Sequence, residues 1–257
     1  MSARYKEKYE GYLRPEAFPS TFCTGCSHPT IMETVLDAIM DMGLSMDDLL
    51  FCSGIGCAAW IPSPHYLADT LHTLHGRAIA YATGAKLANP KLDVFVISGD
   101  GDLASIGGNH LIHAARRDVN MVVICANNLI YGMTGGQVAA TTLTGHKTLT
   151  TPQGNPERPF DLVKLVRGAG AGFVARWFVG QRKELRQSII DAHNHNGFAF
   201  IEVVSICPTA HGRRNVPKGE KGQTPIRKDW FVHKDDAAKL TREELAGKYI
   251  VGEWTDK

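Results

Sequence analysis

The sequence predicts an α/β fold, a parallel sheet flanked by helices with an extended C-terminal tail. Short apolar, β-rich runs alternate with helical stretches, the order that a parallel sheet with crossover helices imposes. A helical segment of clear 3.6-residue period lies near the start, and 44% of the 257 residues are hydrophobic, enough for one sizeable core.

Within 29–42, Ile31, Met32, Val35, Leu36, Ile39 and Met40 share one helical face, opened by Pro29 and closed by Gly43. Residues 49–52 read as a buried strand. A helix over 76–87 is ended by Asn89-Pro90, because the residue before a proline is driven out of helical geometry. The runs 92–98, 121–126 and 198–206 are further buried strands, and another is expected around 172–178. Helices are expected over 104–117 and 181–196, the second stopped by Gly197. The stretch 132–159 is rich in Gly, Thr, Gln and Pro without an apolar period, which marks a functional loop rather than a packing element. Residues 213–257 carry eleven Lys and Arg against eight Asp and Glu with few core-forming runs. They are expected to form a surface-wrapping tail or partner-contacting arm beyond a main domain of residues 1–212.

Charge and hydropathy narrow the function classes. The formal net charge is +2, and no basic block interleaved with aromatics appears, so nucleic acid is not expected as a partner. The longest apolar run, 121–126, has six residues where a membrane-spanning helix needs about 20, so no membrane partner is expected. The first 20 residues are of mixed charge without the apolar stretch of a secretory signal, and the expected location is cytoplasmic.

The most informative segment is Ser98-Gly99-Asp100-Gly101-Asp102, followed after a helix and a strand by Asn127-Asn128. In a right-handed strand–helix–strand unit both pieces fall past the carboxyl ends of adjacent parallel strands, where such sheets bind ligands. A carboxylate, an amide oxygen and a nearby carbonyl are the hard donors that Mg²⁺ accepts when a diphosphate supplies further oxygens. Gly99 and Gly101 let the backbone approach a phosphate, and the helix that follows directs amide N–H groups at it. The arrangement resembles the diphosphate-binding domain of thiamine diphosphate enzymes. That resemblance implies Asp100, the Asn128 side chain and the Ile130 carbonyl as Mg²⁺ ligands.

Cys23-Thr24-Gly25-Cys26 precedes the first helix and is open to three readings: a redox pair, half of a zinc site, or two ligands of an iron–sulfur cluster. No strand precedes the pair, as a thioredoxin-like motif requires, and no second close pair completes a zinc site. Cys57 and Cys207 follow strands, on the same sheet edge as Asp100, and four converging thiols are what a [4Fe–4S] cluster needs. Cys52 and Cys125, inside apolar runs, read as core residues.

Taken together, Cys23-Thr24-Gly25-Cys26, Ser53-Gly54-Ile55-Gly56-Cys57, His75-Gly76-Arg77, Gly99-Asp100-Gly101-Asp102, Asn127-Asn128, Tyr131-Gly132-Met133-Thr134-Gly135-Gly136-Gln137 and Cys207 resemble the beta subunits of the 2-oxoacid:ferredoxin oxidoreductases. The family's Cys-Pro-Gly-Cys-Gly is departed from only at Thr24 and Ser27, which touch no ligand. The resemblance implies Cys23, Cys26, Cys57 and Cys207 as [4Fe–4S] ligands. It implies Gly54, Ile55, Gly56, Cys57, His75, Gly99, Asp100, Gly101, Asp102, Asn128, Ile130, Met133 and Thr134 as contacts of thiamine diphosphate and its magnesium. His75 is also the candidate for a catalytic role.

The implied reaction is reversible, CoA-dependent oxidative decarboxylation of a 2-oxoacid, with electrons passed through the cluster to ferredoxin. Gly135-Gly136-Gln137 and Thr150-Thr151-Pro152-Gln153-Gly154 look most like the 2-oxoglutarate branch; pyruvate specificity and a non-redox thiamine decarboxylase or synthase component are the alternatives. A chain with room for one sheet requires an alpha subunit to supply the pyrimidine-binding domain and most of the CoA site. His146, Lys147 and Arg158 in the long loop are candidate contacts for a distal carboxylate.

Overall fold

The computed structural model describes residues 7–215 and 230–255. Its strands are β1 (Leu49–Ser53), β2 (Asp69–His72), β3 (Asp93–Gly99), β4 (Met121–Asn127), β5 (Phe173–Phe178), β6 (Phe198–Val204), β7 (Phe231–His233) and β8 (Tyr249–Thr255). They form one sheet in the order β2-β1-β3-β4-β6-β5-β8-β7. From β2 to β5 all neighbours are parallel, while β8 runs antiparallel to β5. Every residue of β1, β4 and β6 is buried, which explains why these strands are continuous apolar runs rather than alternating ones.

Helices cover both faces. On one, α1 (His28–Met42) and a later helix, Arg182–Asn194, pack Ile31, Val35, Leu36, Ile39, Leu185 and Ile189 onto Phe51, Phe95, Ile124 and Ile201. On the other, α2 (Ala78–Ala88), α3 (Gly108–Arg116) and α4 (Leu162–Gly168) bring Ile79, Leu111 and Val166 against Val96, Val123 and Val174. Cys52 and Cys125 are fully buried in this second core, the packing role expected of them. Gly43 ends α1 in the left-handed region, φ 65°, where its N–H caps the carbonyls of Ile39 and Met40.

Four differences from the sequence expectations have physical causes. The expected helix over 104–117 is two pieces: residues Gly101–Ile106 form a π-helical turn, and α3 begins only after Gly107. A Cβ on Gly107 would lie 2.8 Å from the carbonyl oxygens of both Asp102 and Gly76, so the break falls where two backbone segments approach closely. Helix α5 (Arg182–Asn194) ends before the expected stop at Gly197, and Asn196 takes the left-handed conformation at φ 58°. Gly197 instead leaves room for the Asp118 carboxylate, which accepts the Phe198 N–H at 2.8 Å. Strand β2 gave no apolar signal because it is an exposed edge carrying Asp69, Thr70 and His72.

The fourth difference concerns the C-terminal tail. Residues 249–255 are not a surface wrap but β8, registered from Thr255 opposite Phe173 to Gly252 opposite Arg176. A charge average over 45 residues hides a seven-residue strand. Part of that tail, 216–229, lies outside the described residues.

Candidate functional site

The chain leaves β1 towards β2 on one side and β3 towards β4 on the other, so the loops after β1 and β3 part and open a crevice at their carboxyl ends. Gly99 is registered with Ala126, which sets Asp100 beside the Asn127-Asn128 turn. Ile55, Gly56, Cys57, His75, Gly99, Asp100, Gly101, Asp102, Asn128, Ile130, Met133 and Thr134 line one cavity of about 80 Å³. Of the residues expected at the cofactor, only Gly54 does not line it. Ala58, Tyr131 and Gly132 complete the walls.

Asp102 holds this crevice together rather than facing a ligand freely. Its Oδ1 accepts the N–H groups of Ile55 at 3.1 Å and Gly76 at 2.7 Å and His75 Nδ1–H at 2.6 Å, while Oδ2 accepts the Ser98 hydroxyl at 2.8 Å. One buried carboxylate therefore ties the loop after β1, the start of α2 and the end of β3. Gly54 is glycine for the same reason, since its Cβ would lie 2.0 Å from Asp102 Oδ2. Gly54→Ala is expected to cost about 1–3 kcal/mol of stability through overpacking. The readout is a lower urea midpoint at unchanged slope; an unchanged midpoint would show that the carboxylate can yield.

His75 is positioned by that carboxylate, not by backbone. With Nδ1 donating to Asp102, Nε2 is the ring nitrogen left to meet a ligand, and Tyr131 packs edge-on at 6.0 Å between centroids. Gly101 is needed at this wall because its Cβ would strike the Tyr131 ring at 2.4 Å, and the Tyr131 hydroxyl donates to the Gly101 carbonyl at 3.0 Å. The Thr134 hydroxyl donates to Gln137 at 2.6 Å, closing the turn that Met133 tops.

Asp100 is the charged group on the crevice floor. It is buried, its Oδ1 accepts the Asn128 N–H at 3.2 Å, and its Oδ2 accepts the Thr141 hydroxyl. Burial pushes its carboxyl up to about 6 against these hydrogen bonds, and among the described residues no cation pairs with it. Thr141 was not foreseen, because it sits in the loop without periodicity. Asn128 Oδ1 accepts the Ile130 N–H at 3.2 Å, with Leu129 at φ 66° between them. Beneath, Asn127 donates to Glu202 at 2.7 Å, and Glu202 accepts Arg176 Nε at 2.7 Å, so a buried ion pair supports the turn. Arg176 also reaches Asp161 on the entry to α4 and the Ile250 carbonyl of β8.

The four cysteines expected at a cluster border one cavity. Cys23, Cys26, Cys57 and Cys207 line a second cavity of about 270 Å³, whose wall also includes Phe22, Trp60 and Pro208. Cys57, Asn128, Gly132 and Met133 line both cavities, so the two adjoin. Burial, helped by charge on Cys207 and Cys23, raises the Cys26 thiol to about 12 and that of Cys57 to about 11. Among the described residues no three His, Cys, Asp or Glu side chains gather tightly enough for a metal ion.

Ser27, where the related motif has Gly, accepts the Ile206 N–H at 2.9 Å and so ties the Cys23–Cys26 turn to the strand end carrying Cys207. His28 lines the same cavity. It is buried with no partner for either ring nitrogen among the described residues, and burial lowers it to about 4, so the ring is neutral at pH 7.

The loop over 132–159 has no helix or strand and is stapled by Asn155, whose N–H donates to the His146 carbonyl at 2.8 Å and whose side chain donates to the Thr142 carbonyl at 2.7 Å. His146 turns away to His211 at 2.9 Å and borders a separate cavity of about 600 Å³. Neither it nor Lys147 nor Arg158 lines the crevice, so the distal-carboxylate expectation is not met within this chain's cofactor pocket. Among the described residues no helix is long and apolar enough to cross a membrane.

Residues 54–203 match the family described as thiamine pyrophosphate enzyme, C-terminal TPP binding domain. The chain is 46% identical over 248 residues to the 2-oxoglutarate synthase subunit KorB of Methanothermobacter marburgensis, covering 96% of this chain and 87% of that one. It is 41% identical over 191 residues to the 2-oxoacid:ferredoxin oxidoreductase subunit beta of Saccharolobus solfataricus, covering 73% and 62%. Among solved structures, a 2-oxoglutarate:ferredoxin oxidoreductase from Magnetococcus marinus, described with 2-oxoglutarate, coenzyme A and succinyl-CoA bound, superposes with a TM-score of 0.83 at 34% identity, covering 96% and 84%.

Proposed function

This chain belongs to the beta subunits of the 2-oxoacid:ferredoxin oxidoreductases, enzymes that act with an alpha partner, and we propose that within this family it serves 2-oxoglutarate. The overall reaction is 2-oxoglutarate and CoA giving succinyl-CoA, CO₂ and a proton, with two electrons leaving one at a time to two ferredoxins; it is reversible.

One observation carries the redox part: the crevice with Asp100 and Asn128 and the cavity with four cysteines share a wall made by Cys57, Asn128, Gly132 and Met133. Thiamine diphosphate supplies, when bound, the nucleophile and electron sink that a 2-oxoacid decarboxylation needs, and a [4Fe–4S] cluster supplies one-electron acceptance.

The donor types present suit both groups. Asp100, Asn128 Oδ1 and the Ile130 carbonyl are a hard oxygen set suited to Mg²⁺, and the buried Asp100 carboxylate lacks a cation among the described residues. Cys23, Cys26, Cys57 and Cys207 would hold the cluster, beside a buried His28 whose ring nitrogens have no partner among the described residues. His75, oriented by Asp102, holds Nε2 at the crevice for the diphosphate or the substrate. The alpha subunit contributes the pyrimidine-binding domain and most of the CoA site, since this chain's one sheet is used by the diphosphate end.

Anaerobic purification of the complex tests this by measuring iron, sulfide and thiamine diphosphate per chain alongside turnover. About four iron and one thiamine diphosphate are expected, with CoA-dependent reduction of ferredoxin by 2-oxoglutarate exceeding that by pyruvate and no turnover by the beta chain alone. Iron-free protein carrying thiamine diphosphate would replace this with the non-redox thiamine enzyme, and a preference for pyruvate would reassign the substrate.

A further inference from the structure

Thr209 stands between two of the four cysteines and is not accounted for by the ligand set. Its hydroxyl lies 3.7 Å from the sulfur of Cys207 and 3.8 Å from that of Cys23, within hydrogen-bonding reach of both. The backbone N–H of Ala210 donates to the Cys207 sulfur at 3.4 Å, so that sulfur has a backbone donor beside its contact with the hydroxyl. The segment is held there by its own turn, Gly212 N–H to the Cys207 carbonyl at 2.8 Å, and by Arg214 on the Ala210 carbonyl. Thr209 is exposed, lines the cysteine cavity, and joins sulfurs that are 184 positions apart in the chain.

We propose that Thr209 shares its one hydroxyl hydrogen between the ligand sulfurs of Cys207 and Cys23 and thereby raises the reduction potential of the cluster. This role rests on those cysteines being the cluster ligands. A hydroxyl has one hydrogen and two lone pairs. Against a thiol it can give or accept, but a metal-bound thiolate has no hydrogen, so Thr209 must be the donor. Reduction adds one negative charge to the cluster, and donors to its sulfurs stabilise that charge, which raises the potential. Thr209 is a positioning and tuning residue: it touches the ligands, and nothing in the turnover requires it to exchange a proton.

The test is T209V, which keeps the shape and removes the hydrogen, together with T209S, which restores it. The complex with its alpha partner is purified anaerobically, its iron and sulfide are counted, and the cluster is titrated against redox mediators by EPR. In T209V the ratio of reduced to oxidised cluster at a fixed solution potential is expected to fall about tenfold, equivalent to about 59 mV for a one-electron couple, and T209S should recover most of it. If valine prevents the cluster from assembling, T209A provides the same subtraction without the added methyl. A cluster of full iron content whose potential is unchanged in T209V and T209A overturns this inference alone. A wild-type complex without iron overturns the ligand assignment first and this inference with it.

Discussion

Asp100→Ala is expected to weaken binding of thiamine diphosphate with magnesium by at least about 10²-fold and to reduce turnover at ordinary cofactor concentration in proportion. Losing an outer-shell partner of a metal typically costs 10–100-fold, and Asp100 is the only carboxylate in the proposed magnesium set. Its surroundings also separate function from folding. Among the described residues the buried carboxylate accepts only the Asn128 N–H and the Thr141 hydroxyl and has no cation beside it. Burying a charge without a partner is costly, so Asp100→Asn should leave the cofactor-free protein at least as stable as wild type while still losing magnesium. Titrating thiamine diphosphate with and without Mg²⁺, beside a urea melt, reads both. Wild-type affinity in Asp100→Ala would remove Asp100 from the site.

Cys207→Ser should strip the cluster while leaving the thiamine site intact. Cys207 lines the cysteine cavity but not the crevice, so the two readouts part. Iron per chain is expected to fall below about a tenth of wild type and ferredoxin reduction by more than the 10–100-fold that an outer-shell loss causes. Thiamine diphosphate affinity should stay within a few-fold. Cys125→Ala serves as the control: it is buried in the core among apolar residues, so it should lower stability by cavity formation and keep its iron. A Cys207→Ser protein with full iron would mean that another group completes the set.

The positions of the site loops could be read from the chain because the strands that carry them are buried on both faces. Leu49–Ser53, Met121–Asn127 and Phe198–Val204 have no polar face to lose, so each appears as an apolar run with its site residues at its carboxyl end. Local motifs sufficed where the chemistry is local: Gly99-Asp100-Gly101, Asn128 and the Cys23–Cys26 pair all fall in the two adjoining cavities. The expectation failed where partners are distant. Nothing near Thr141 hints that its hydroxyl meets Asp100, 41 positions earlier, and nothing near Arg176 hints at β8.

Composition and spacing by themselves determined the class of fold, the edge of the sheet that carries the chemistry and the residue types available there. Only the tertiary structure decided how those residues are used. It made Asp102 the knot joining three loops, gave Gly54 and Gly101 their reasons, and turned a charged tail into a strand against β5. The physical cause is the range of the interactions involved. Burial patterns and turn chemistry act between neighbours in sequence. A buried carboxylate, by contrast, must find every one of its donors in space, and those donors come from wherever the sheet brings the chain together.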